Sequence, residues 1–185
     1  MKYRNGFVSN SSSSSFVVDF GHRIESSGEL LDLLDWDSFM KEWEHMVSYQ
    51  TYVYNHQEYE SMTKETMADI LYKAIVLYRS QHKVPMSFKE AFMDMFDNYK
   101  YHEYRRSLKQ DSSNIPEVIR KNIENPDAPY DNLTFMQFGN DSYLLDGYES
   151  GFFTKLEWDF LLEIYFQHLI YVLLAKVPYT MELYA

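Results

Sequence analysis

LTFMQFGNDSYLLDGYESG, residues 133–151, is the stretch whose reading decides the fold class. Two apolar, aromatic runs flank Gly139-Asn140-Asp141, and Asp146-Gly147 follows as a second turn signal, which together read as a β-hairpin over 132–148. A second strand signal lies at Phe16-Val17-Val18-Asp19-Phe20, rich in β-branched and aromatic residues and stopped by Gly21. After Pro178, YTMELY supplies a third, at an edge. Three such segments imply a small antiparallel sheet, so the class expected is α+β, with about five or six helices packed on it.

The helices announce themselves by caps. Ser26 with Glu29 forms a capping box that opens a short helix over GELLDLLDW. Asp37 is the expected cap of the next, in which Phe39, Met40, Trp43, Met46 and Val47 recur at helical spacing. Thr63 starts a third helix, whose apolar face gathers Met67, Ile70, Leu71, Ala74, Leu77 and Tyr78 before Pro85 forbids continuation. Ser87 and Glu90 make a further capping box, and Asn114 caps a short helix that ends before Pro126 and Pro129. Thr154 and Glu157, bracketed by Phe153 and Trp158, open the longest helix, 155–176, apolar on nearly every side and therefore expected at the centre.

At 185 residues the chain suffices for one domain that buries about 70% of its unfolded surface. The expected division is a Ser-rich leader over 1–15 and a folded domain over 16–185. Aromatic residues make up 18%, unlike a disordered chain. There is no Cys, which excludes disulfides, thiolate metal sites and a Cys nucleophile. The apolar run Leu156 to Ala175 is interrupted by Glu157, Asp159, Glu163, Gln167 and His168, so it reads as a core helix and no membrane span is expected. The formal charge of −11 repels phosphate backbones, so direct nucleic-acid binding is not expected, and basic partners are favoured.

Candidate chemistry begins at the serines. Arg4 with Ser11, Ser12, Ser13, Ser14 and Ser15 offers a cation, hydroxyls and successive amides, the components of an anion-binding concavity. The plainer reading is a solvated connector, since no GxxxxGK[ST] accompanies the run. Glu42 and His45 stand at i and i+3, half of a di-iron carboxylate arrangement whose other half is missing, so a solvated helix face is the plainer reading there too. Arg4, the serines and Glu42-x-Glu44 or Glu58-x-Glu60 follow the order, without the spacing, of certain ADP-ribosyltransferases. No catalytic residue, metal or cofactor emerges. For partner contact the candidates are Tyr49, Tyr52, Tyr54, Glu58, Tyr59 and Glu60, an aromatic and acidic stretch, and Arg105 with Arg106 in a local basic cluster. His168 within the apolar helix reads as a core histidine, and a pocket beside Glu163 is left open.

The opening KYRNGFVSNSSSSSFVV resembles an N-terminal signature, GFVSNSSSSSF after a basic start, shared by small bacteriophage and bacterial proteins of no assigned activity. The resemblance covers about residues 2–18, through Gly6, Phe7, Val8, Ser9, Asn10, Ser11 to Ser15 and Phe16. It implies a phage or mobile-element origin and no catalysis. The expected function is that of a small acidic accessory protein acting by protein–protein binding in the cytoplasm of a host cell, on a basic or DNA-binding host or defence factor. Two alternatives stand beside it: a binder or enzyme for a nucleotide or phosphorylated ligand at Arg4 and the serines, and a minor virion component. Oligomeric state is not legible.

Overall fold

The computed structural model describes residues 14–20, 22–54, 57–81, 86–87, 106, 129–130, 133–138, 143–166, 169–177 and 179–184. Its first helix, α1, covers Ser27–Leu33. The Ser26 hydroxyl accepts the Glu29 amide at 3.4 Å, the forward half of the anticipated capping box, while the Glu29 carboxylate reaches one residue past the cap and accepts the Glu25 amide at 3.1 Å. At the other end the Leu30 carbonyl accepts both the Leu34 amide, at 3.2 Å, and the buried Trp36 indole N–H, at 3.0 Å. One side chain of the next helix thereby takes the second lone pair of a carbonyl in the last turns of α1.

Helix α2 covers Trp36–Tyr54. Its cap is Asp35 and not the expected Asp37: the Asp35 carboxylate accepts the Ser38 amide, and the Asp35 carbonyl accepts the Phe39 amide. Trp36, Phe39, Trp43 and Val47 bury one stripe. Phe39 packs edge-on to Trp36 and stacks on Trp43, which meets Tyr59 at 5.3 Å and Phe160 at 5.4 Å between ring centroids. A 3-10 turn, Gln57–Ser61, brings Tyr59 under that stripe. Helix α3, Lys64–Gln81, is capped by the Thr63 hydroxyl, which accepts the Thr66 amide. Its expected apolar face is buried, from Met67 through Tyr78.

Helix α4 covers Tyr143–Glu149 and α5 covers Lys155–Phe166. Between them Gly151 takes φ +76°, and the Gly147 carbonyl accepts the Phe152 and Phe153 amides, a left-handed helix ending that favours glycine. Thr154 and Glu157 form the capping box read from the sequence: the Glu157 amide donates to the Thr154 hydroxyl and the Thr154 amide to the Glu157 carboxylate. Helix α6 covers Leu169–Leu173 and lies along α2. There the Asp35 amide donates to the Leu173 carbonyl at 3.0 Å and Lys176 pairs with the Asp35 carboxylate at 2.8 Å.

Extended segments β1, Ser14–Asp19; β2, Met86–Ser87; β3, Pro129–Tyr130; β4, Leu133–Phe138; and β5, Tyr179–Tyr184, complete the described backbone. Antiparallel registers set Ser14 opposite Phe138 and Tyr184, Val18 opposite Thr134 and Thr180, and Met86 opposite Tyr130.

The α+β expectation, helices laid on a small antiparallel sheet around one long C-terminal helix, is overturned because the packed body is helical. The described buried apolar side chains come from α1–α6 and the segments flanking them, with Val18 of β1 fully buried beside them. The hairpin over 132–148 does not exist, since its second arm is α4. Leu144, Leu145 and Tyr148 stand at helical spacing, and Gly147, read as a turn residue, is buried inside that helix. A Cβ there would come within 2.4 Å of Leu77 and 2.7 Å of Phe153, so the glycine permits close helix approach. Of the expected helix 155–176, Lys155–Phe166 and Leu169–Leu173 are helical, 167–168 lie outside the described residues, and 174–176 form a turn. The expected capping box at Ser87 and Glu90 and the helix after Asn114 lie outside the described residues, apart from Ser87 in β2.

Candidate functional site

The outer faces of the helices carry the charge. Ten carboxylates are exposed among the described residues: Glu25, Asp32, Asp37, Glu42, Glu44, Glu60, Glu65, Asp69, Asp146 and Glu149. Five cations of Lys and Arg share that exposure: Lys41, Lys64, Arg106, Lys155 and Lys176. Two of these are already paired, Lys155 with Asp159 at 2.6 Å and Lys176 with Asp35 at 2.8 Å. On the other side Glu25 is paired with Arg23 at 2.8 Å, and the described helical surface is negative by the excess of carboxylates over cations.

Glu65, Glu29 and Glu157 each have a local reason to stay ionised. Glu65 lies in the first turn of α3, where its own main-chain amide and the Thr63 hydroxyl hold its carboxyl below the usual range. Glu29 is held down by His22, whose Nε2 stands 2.8 Å away, and by the Glu25 amide. Glu157 is partly buried, and burial works to raise its carboxyl, but the Lys73 ammonium at 2.9 Å and the Thr154 amide prevail and lower it. Lys73 itself sits 5.2 Å from the Phe152 ring centroid and 5.6 Å from that of Phe153, so α3 and α5 are joined by a charge pair on aromatic ground.

The sequence candidates divide sharply. Arg4, Ser11, Ser12, Ser13 and Arg105 lie outside the described residues. Ser14 and Ser15 are the first residues of β1, with backbones in register with strands on both sides, so their amides are engaged in pairing and do not line an open cradle. The backbone of Tyr49, Tyr52 and Tyr54 is the end of α2, and Glu58 is within the 3-10 turn. Tyr59 is 1% exposed and faces the core instead of a partner. Glu60, next to it, is exposed, as is Arg106. Glu42 and His45 share the exposed side of α2, and among the described residues no group of three or more His, Asp or Glu is placed to hold a metal ion. Glu163 is half-buried on α5; His168 lies outside the described residues.

Two features escaped the sequence reading. Tyr148, on α4, is 37% exposed and stacks on Trp158 of α5 with ring centroids 5.6 Å apart and planes 11° from parallel. Its helical spacing from Leu144 and Leu145 was the available signal. Arg79 and Tyr72 of α3 reach the carbonyls of Ile24 and Glu25, at 2.5 and 2.6 Å, and so fasten the segment between β1 and α1 to the helical body. A cavity of about 10 Å³ between Phe20, Leu34, Leu71, Ile75 and Ile170 is wholly apolar and at the lower limit for one water, so it offers a ligand nothing to recognise. No described helix is long and apolar enough to cross a membrane. Comparison with protein-family models, curated proteins and solved structures finds no match.

Proposed function

We propose that this chain is a small acidic accessory protein of the phage type that acts by binding a basic or DNA-binding protein of its host. The observation that carries this reading is the two-to-one excess of exposed carboxylates over Lys and Arg on the described helical surface. Such a field steers a cationic partner and competes with nucleic acid for the same partner surface. Binding through charge weakens as salt screens it, with a screening length of about 8 Å at physiological ionic strength. The test is displacement: a DNA-binding protein captured from the native host, and loaded with labelled DNA, releases that DNA when the full chain is added at moderate salt. A complex that survives high salt unchanged, or forms without displacing DNA, contradicts charge mimicry. Comparing the full chain with one lacking residues 1–13, which leaves β1 whole, assigns the interaction to the helical body, which should retain the partner, or to the serine leader.

A further inference from the structure

We propose that the outer face of α3 is the docking site for a basic amphipathic helix of the protein partner. This rests on the reading above and names where that partner is held. Glu65, Asp69, Val76 and Ser80 are all exposed, and at about 100° per residue they fall within an arc of about 60° on one side of the helix. The other side is buried from Met67 through Tyr78, so this arc is the one α3 turns outward. Val76, 38% exposed, is one of three large apolar side chains left open among the described residues, and it shares the arc with two carboxylates.

Charge selects the occupant, because no Lys or Arg of α3 stands on that arc. Lys73 and Arg79 border it, half-buried, with their heads engaged: Lys73 pairs with Glu157 at 2.9 Å, and Arg79 donates to the Ile24 carbonyl. Lys64, beside Glu65 in the chain, lies about 100° away round the helix. The other two long helices differ. On α2 the exposed Lys41 lies one turn from both Asp37 and Glu44, so that face carries both signs, and on α5 the exposed Lys155 is paired with Asp159.

Spacing selects the form of the occupant. Along the axis, Asp69 follows Glu65 by about 6 Å, and Val76 follows Glu65 by about 16 Å. A second helix matches those separations with residues i, i+4 and i+11 on one face, the first two cationic and the last apolar. An extended segment repeats on one face at about 6.6 Å, which puts side chains near 13 and 20 Å and none opposite Val76. The helix that a DNA-binding protein lays in the major groove is itself a basic helix, so α3 competes with nucleic acid for one and the same element.

The test titrates the full chain with three labelled helical peptides of equal length and reads anisotropy. The first carries lysines at i and i+4 and a leucine at i+11, the second has the same residues with the leucine moved to the opposite face, and the third has glutamates for the lysines. The first should bind more tightly than the second, and the third should not bind. Glu65→Gln with Asp69→Asn should weaken the first peptide about two- to ten-fold, and more than Asp37→Asn with Glu44→Gln, which removes the same charge from α2. Val76→Ser should weaken the first peptide and erase its advantage over the second. Equal binding of the first two peptides, binding of the third, indifference to Val76→Ser, or equal effects of the two neutralised pairs would overturn the proposal. Should Glu65→Gln with Asp69→Asn fail to fold, Val76→Lys replaces it: weakened binding at an unchanged melting temperature supports the site, and unchanged binding overturns it. Host-partner capture that persists undiminished when the two neutralisations are combined with Val76→Ser overturns this site and leaves the broader function standing. Peptide discrimination without any captured partner supports the site and removes that function.

Discussion

Asp35 joins three parts of the chain with one residue. Its amide donates to Leu173, and its carboxylate takes the Ser38 amide and the Lys176 ammonium, which between them hold its carboxyl below the ordinary range. Asp35→Asn keeps a capping oxygen and loses the charge pair, whereas Asp35→Ala loses both. Urea unfolding should therefore rank stability as wild type, then Asn, then Ala; an Ala variant as stable as the Asn variant would show that the cap contributes nothing. Glu157 gives a pH prediction. Its carboxyl is lower in the folded chain than the ordinary 4.5, so its stabilisation is fully present above that value and is lost as pH falls through the folded value. Glu157→Gln should be less stable than wild type at pH 7, with the gap closing below about pH 4.5. A gap constant with pH would remove the Lys73 pair from the account. The Thr154–Glu157 box was legible because a cap is a local pattern. Asp35 was not, because Asp37 carries the same side chain two residues on, and only the packing of Leu173 and Lys176 distinguishes them.

At the scale of elements, α4 tests the packing most sharply. Gly147→Ala puts a methyl group into space held by Leu77 and Phe153, and overpacking of that kind costs about 1–3 kcal/mol. Were Gly147 a solvent-facing turn residue at positive φ, Gly147→Asn would be tolerated, whereas inside the packed helix it is not, so the unfolding midpoint of that second variant separates helix from hairpin. Phe160, fully buried and edge-on to Trp43, should cost about 3–5 kcal/mol as Phe160→Ala. These two positions mark where periodicity succeeds and fails. The apolar stripes of α2, α3 and α5 repeat over several turns and were readable. The α4 segment spans only seven residues, too short for its period to outweigh two glycine-bearing turn signals, and Asp-Gly carries the same letters whether it bends a hairpin or seats a helix. Tyr59 misled for a related reason, since a tyrosine at the core boundary and one at an interface are chemically alike.

For the molecule as a whole, charge was legible and architecture less so. The −11 of the chain reappears as an acidic outer surface on the described helices, because carboxylates are excluded from a core built of Trp, Phe, Leu and Ile. The sheet-based class was not, since the described body packs helix on helix and the second arm of the expected hairpin folds as α4. What the surface does is the central claim, and neutralising it is the direct test. The measurement is capture of a DNA-binding host protein by the wild-type chain and by a variant carrying Glu42→Gln, Glu60→Gln, Glu65→Gln and Asp69→Asn, with folding confirmed by an unchanged melting temperature. Capture should fall steeply in the variant and fall with added salt in the wild type. Capture equal in both, at every salt concentration, would contradict an acidic helical surface as the source of binding.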